Sequence, residues 1–157
     1  GLGELFVILF FGLVAVTGTA FVQSGEWYEA AVVAGFQIGC LSTVLIAINN
    51  LRDVDEDRRS GKKTLAVRLG VGFARGEIVL LIVAAHVAGF YWVLHGWQRA
   101  FTLPLATLPI GLFVVWRVIV EPPGRGHNRL LAMSGVQLLA FAALMSWAIV
   151  KARDVMP

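Results

Sequence analysis

The chain has 157 residues, 58% of them hydrophobic and 15% charged, and its mean hydropathy is +0.78. That balance excludes an ordinary soluble domain and a disordered one. A single cysteine, Cys40, excludes an internal disulfide framework and multi-cysteine zinc or iron–sulfur motifs, and a net charge of +3 with no exposed basic face offers nothing to nucleic acid.

The apolar residues fall into five blocks: Leu5–Val22, Ala30–Ile48, Ile78–Leu94, Ala100–Trp116 and Leu130–Val150. Each is long enough, or nearly so, to cross a hydrocarbon core of about 30 Å. None contains Lys, Arg, Asp or Glu. Barrel strands would alternate over about ten residues, whereas these blocks are apolar on every side. The expected fold is therefore all-α, a polytopic transmembrane bundle of five helices in one membrane domain, residues 1–157. The first block is not a signal peptide, because no basic segment precedes it and no small-residue cleavage site follows it. Opening on Gly1, with the first block beginning almost at once, the sequence reads as part of a longer chain or a trimmed one.

Charge in the connections sets an expected orientation. Arg52, Arg58, Arg59, Lys62, Lys63, Arg68 and Arg75 lie between the second and third blocks, and Arg117, Arg125 and Arg129 bracket the fourth connection. The other two connections hold Arg99 alone. The positive-inside rule puts the basic connections in the cytoplasm, with the chain running from inside to outside. Lys151 and Arg153 in the tail run against this, partly offset by Asp154.

Gly35 and Gly39 form a G-x-x-x-G pair in the second block, a spacing that lets helix backbones approach closely in lipid. Pro104 and Pro109 predict a kink in the fourth block, which either opens a cavity or fits a neighbour. Pro122, Pro123 and Gly124 mark a turn. Gln37, His86 and Gln137 lie deep in apolar blocks and are expected to face protein or a water-filled cavity, an interhelical hydrogen bond being the plainer role. Gly70, Gly72 and Gly76 have the wrong spacing for a dinucleotide loop.

Chemistry concentrates in Asn49–Gly70, NNLRDVDEDRRSGKKTLAVRLG, within a connection spanning residues 49–77. If the second helix continues past its apolar block, Asn49, Asp53 and Asp57 fall at i, i+4 and i+8. Residues four apart share a helix face, their Cβ atoms about 5–6 Å apart. Two carboxylates and an amide oxygen suit Mg2+, which takes oxygen ligands and is usually completed by substrate phosphates. Asp55 and Glu56 point elsewhere on the helix. Gly61 is expected to turn Lys62 and Lys63 back over the acidic face, and Arg58 and Arg59 add further charge. Carboxylates for a metal and cations for phosphate oxygens describe a diphosphate site. Beside an apolar bundle, that suggests an amphiphile with a diphosphate head and a hydrocarbon tail. The alternative is a solvated juxtamembrane loop whose charges pair with one another.

This run resembles the second aspartate-rich motif of the UbiA-type intramembrane prenyltransferases, most closely in the branch that acts on 1,4-dihydroxy-2-naphthoate in menaquinone synthesis. The opening GLGELFVILFFGLVAVTGTAFVQSG is similar to the segment preceding that motif, and GRGHNRLLAMSGVQLLAFAALMS is a looser match, with Ser134 standing where threonine is expected. The resemblance implies a fold of nine helices around a central cavity, with the five blocks as helices five to nine. It implies a first N-x-x-x-D-x-x-x-D motif on four further helices, supplied by preceding sequence or by a partner chain. It assigns Asp53 and Asp57 to the metal, and Asn49 to the catalytic set. Asn50, Arg52, Arg58, Lys62 and Lys63 fall to the diphosphate.

The implied cofactor is Mg2+, and the implied partners are a polyprenyl diphosphate, an aromatic acceptor and the lipid bilayer, in a bacterial inner membrane with the aspartate-rich loop on the cytoplasmic side. The implied reaction ionises the allylic C–O bond, lets the acceptor ring attack the cation and, for dihydroxynaphthoate, releases CO2 to give demethylmenaquinone. 4-Hydroxybenzoate, homogentisate, heme and a chlorophyllide are the competing acceptors. A non-catalytic membrane module or cation-transport fragment is the reading from another class. Transport calls for ionisable groups at membrane depth, and only His86 qualifies.

Overall fold

The computed structural model describes residues 1–153, so Asp154 and its offset to the tail charges lie outside the described residues. Among these the chain is helical, without strands. Five helices are long and apolar enough to cross a membrane: α1, Gly3–Ser24; α2, Glu29–Arg52; α5, Val71–Leu94; α6, Gln98–Val120; and α7, His127–Arg153, which is apolar through Lys151. Two short helices, α3 (Val54–Arg59) and α4 (Leu65–Leu69), join α2 to α5. Helices are the expected outcome in lipid, where every backbone N–H and C=O must be satisfied within its own segment. The five apolar blocks all lie within these helices. Segment 49–77 runs from the end of α2 through both short helices to the first turns of α5, with turn or irregular backbone at Asp53, residues 60–64 and Gly70.

The central element is α2. It packs against α1, α5 and α7, and 56% of its apolar window is buried inside the bundle, against 6% for α1. Cys40, Val44, Ala47, Ile48 and Leu51 form its core face. The glycine pair on α2 receives α1 at backbone contact. A Cβ on Gly39 would lie 2.9 Å from the Ile8 carbonyl oxygen, and one on Gly35 would lie 3.0 Å from that of Gly12. On the α1 side, Val7–Val14 winds as a π-helix, the wider coil carrying Gly12 into this contact.

The prolines act where expected. Pro104–Thr107 is a 3-10 stretch inside α6, and Pro109 lies in the first turn of the regular helix that resumes at Leu108. The deep polar residues face protein. Gln37 donates from Nε2 to the Ala85 carbonyl at 2.7 Å and accepts the Trp92 indole N–H at 2.8 Å. His86 Nδ1 lies 2.8 Å from the Ile82 carbonyl. Gln137 is buried against Gly111, where a Cβ would come within 2.6 Å of its Nε2.

Candidate functional site

The up-and-down order of the bundle brings five ends together: the C-termini of α2 and α6 and the N-termini of α1, α5 and α7. The aspartate-rich run sits at this end. Asp53 leaves helical geometry (φ −98°, ψ 10°), so α2 stops at Arg52. The hydrogen-bond ladder nevertheless continues across the break, from Asp53 N–H to the Asn49 carbonyl at 3.1 Å and from Asp57 N–H to the Asp53 carbonyl at 2.8 Å.

Helix α3 is favoured by its own charges. Asp55, Glu56 and Asp57 occupy its first turn and Arg58 and Arg59 its last, each matching the helix dipole. It ends in a Schellman turn. Lys62 N–H reaches back to the Asp57 carbonyl at 3.0 Å and Gly61 N–H to that of Arg58 at 3.4 Å. Gly61 takes φ +76°, which a side chain would resist. This turn folds Lys62 over α3, with Nζ 2.8 Å from Asp57 Oδ1. Thr64 then caps α4 through its hydroxyl, which accepts the Val67 N–H at 3.3 Å.

The side chains form two clusters. In the first, the Arg52 guanidinium is the hub. It forks onto Asp53, Nε to Oδ1 at 2.7 Å and Nη2 to Oδ2 at 2.6 Å. Nη2 also donates to Asn49 Oδ1 at 2.7 Å, and Nη1 to Asn128 Oδ1 at 2.7 Å. In the second, buried Asp57 meets Lys62, whose own side chain stays 67% exposed. The fork holds the Asp53 carboxyl below its usual range; burial opposes this, and the charges of Arg52 and Lys62 add to it. The bond to Asp57 holds the Lys62 ammonium above its usual range.

The other residues singled out in the sequence lie apart. Asn50 turns toward α1, where its Nδ2 donates to buried Glu4 Oε1 at 2.7 Å. Arg58 meets Asp55 at 3.6 Å on an exposed surface. Lys63 is exposed and makes no contact with the acidic residues. Among the described residues no three His, Cys, Asp or Glu side chains converge as a metal set. The oxygens near the end of α2 that could be offered to a metal are those of the Asp53 carboxylate, the Asn49 amide and, one turn further along, Asp57.

An open cleft of about 470 Å³ lies over the first cluster. Arg52, Asp53, Asp55 and Glu56 line one side, and Arg125 and Asn128 from the α6–α7 connection line the other. Sequence reasoning missed this opposite wall. Arg125 and Asn128 lie more than seventy positions from Asp53, and no spacing rule links them. The connection is tied down from α5, where Arg75 Nη2 donates to the Glu121 carbonyl at 2.7 Å, and from α6, where Arg117 pairs with Glu121.

Residues 1–138 match the model of the UbiA prenyltransferase family. The chain belongs to that family. With its five long apolar helices, this UbiA-family chain is an integral membrane protein. It is 33% identical over 150 residues to the 1,4-dihydroxy-2-naphthoate octaprenyltransferase of Mycobacterium tuberculosis, a match covering 95% of this chain and 50% of that protein. It is 42% identical over 86 residues to the Haemophilus influenzae protein of the same name, covering 54% and 28%. A 25% match over 144 residues to the 2-carboxy-1,4-naphthoquinone phytyltransferase of Synechocystis covers 89% and 44%. The chain thus spans about half the length, or less, of these relatives. No solved structure matches it.

Proposed function

We propose that this chain carries the second aspartate-rich site of a magnesium-dependent prenyltransferase. The enzyme moves a polyprenyl group from its diphosphate to 1,4-dihydroxy-2-naphthoate, releasing diphosphate and CO2 and giving demethylmenaquinone. The observation that carries the proposal is the cluster at the end of α2, in which Asn49 and Asp53 present oxygens around one guanidinium beneath an open cleft. The acceptor is supported by the named relatives, whose names carry a carboxylated naphthalene ring with either an octaprenyl or a phytyl group.

The donor chemistry fits Mg2+, which takes hard oxygens and is usually completed by phosphate oxygens and water. Asp53 and Asn49 would hold it, with Asp57 and the corresponding residues of the first motif completing the two-motif site that the family resemblance implies. Bound there, the metal would stabilise negative charge developing on the departing diphosphate. In this structure Arg52 and Lys62 neutralise Asp53 and Asp57. With the carboxylates engaged by a metal, both cations would be free to donate to diphosphate oxygens, Arg52 with a fork suited to phosphate. The site opens at the end of the bundle, so the diphosphate head stays in the polar layer while the prenyl tail enters among the helices. The clustered basic residues support the reading that the aspartate-rich end lies on the cytoplasmic side, here of a bacterial inner membrane.

The test uses the full-length polypeptide encoded by the gene, in membranes. Asp53→Ala and Asp57→Ala each abolish transfer while leaving the protein inserted. Near-normal turnover in either variant would remove the metal assignment. Competition with 4-hydroxybenzoate and homogentisate identifies the acceptor, and preference for either would redirect the proposal within the family.

A further inference from the structure

We propose that Asn128, at the start of α7, is a positioning residue for the diphosphate site, acting through Arg52. The proposal rests on the reading of the cleft given above.

Arg52 is held on three sides. Asp53 takes its Nε edge and Asn49 shares Nη2. Asn128 Oδ1, at 2.7 Å, is the partner of Nη1. A guanidinium offers only N–H groups, so Asn128 must turn its amide oxygen toward it. Asn128 is itself fixed. Its backbone N–H donates to the Arg125 carbonyl at 3.1 Å, and the neighbouring His127 N–H donates to that of Gly124 at 3.0 Å. His127 is fully buried, pinning the first turn of α7 to the bundle. The Arg75–Glu121 bond secures the other end of the connection.

The consequence appears when the site is loaded. A metal ion that took up the Asp53 oxygens would remove the fork that holds Arg52. Asn128 then becomes the anchor that keeps the guanidinium over the cleft, where it can meet phosphate oxygens, instead of swinging into solvent. Arg125, on the same wall, makes no ion pair among the described residues and adds its charge to the cleft.

The experiment measures affinity of the purified full-length polypeptide for geranyl S-thiolodiphosphate, an unreactive donor analogue, by titration calorimetry with Mg2+. Asn128→Leu, similar in size but without an acceptor, weakens binding about 3- to 10-fold, as loss of one solvent-exposed hydrogen bond predicts. Asn128→Ala does the same and covers the case in which leucine is not tolerated. Asn128→Asp keeps the oxygen and stays within about threefold of wild type. In an Arg52→Ala background Asn128→Leu has no further effect, which a merely structural role would not produce. Wild-type affinity in both Asn128→Leu and Asn128→Ala, or an undiminished loss in the Arg52→Ala background, overturns the proposal. Asp53→Ala separates the two readings. If it abolishes binding while the Asn128 variants bind normally, the positioning role alone fails. If it also binds normally, the diphosphate reading fails.

Discussion

The contact between α1 and α2 makes a prediction whose sign differs between two glycines of one helix. A Cβ added at Gly12 would lie 2.7 Å from the Gly39 backbone nitrogen, and closer still to the Gly35 carbonyl oxygen. These are backbone atoms and cannot swing aside, so the helices must separate. A Cβ at Gly18 would meet nothing within 4 Å. Alanine gains roughly 1 kcal/mol of helix propensity over glycine at either position. At Gly12 that gain is set against overpacking of roughly 1–3 kcal/mol and loss of the close backbone approach that drives association in lipid. Gly12→Ala is therefore destabilising by up to about 2 kcal/mol, and Gly18→Ala is neutral to stabilising by about 1 kcal/mol. Thermal unfolding of the full-length polypeptide in detergent, followed by helical circular dichroism, reads both. Equal melting temperatures for the two variants, or a less stable Gly18→Ala, would refute the packing described here.

Three further outcomes are expected. Gln37→Leu leaves the buried Trp92 indole N–H and the Ala85 carbonyl without their partner and costs about 1–3 kcal/mol in the same melt; an unchanged midpoint would remove the interhelical role. Asp53, held below its ordinary value of 3.8 by the Arg52 fork, contributes stability that is present above that value and lost as pH falls from it through the lower folded value. Melting temperatures measured from pH 5 downward should therefore fall less steeply for Asp53→Asn than for wild type, and parallel curves would contradict the pairing. Lys62 lies at the other extreme: its pKa is raised by Asp57, so its contribution is complete below its ordinary value of 10.5 and disappears only as pH rises through the folded value. Lys62→Met should therefore flatten the alkaline limb, and an alkaline limb identical to wild type would contradict the pairing.

The membrane fold was legible because its signal is local. Apolar blocks free of charge identify spanning helices without knowledge of their neighbours, and Gly35 and Gly39 declare a close approach by spacing alone. The spacing of Asn49, Asp53 and Asp57 was legible in part, since the hydrogen-bond ladder continues across the break at Asp53 while the side chains divide between Arg52 and Lys62. What could not be read was tertiary. Asn50 stands beside Asn49 in the motif, but a rotation of about 100° per residue sends it to Glu4 on another helix. Asn128 reaches Arg52 only because α6 returns the chain to the same end of the bundle, and nothing in its own segment marks it. The short helices α3 and α4 were hidden by charge, because apolar patterning marks only where the membrane-spanning run stops. Helix-dipole pairing and the Schellman turn at Gly61 carry the coil onward through polar sequence.

The most direct test of the central claim follows the carboxyl carbon of the acceptor. The full-length polypeptide in membranes is given 1,4-dihydroxy-2-naphthoate labelled in its carboxyl group, together with a polyprenyl diphosphate and Mg2+. The account predicts labelled CO2 released in step with an unlabelled prenylated quinone precursor, with both products lost on chelation of the metal and in Asp53→Ala. A prenylated product that keeps the label, or release that persists without the metal or without Asp53, would contradict it.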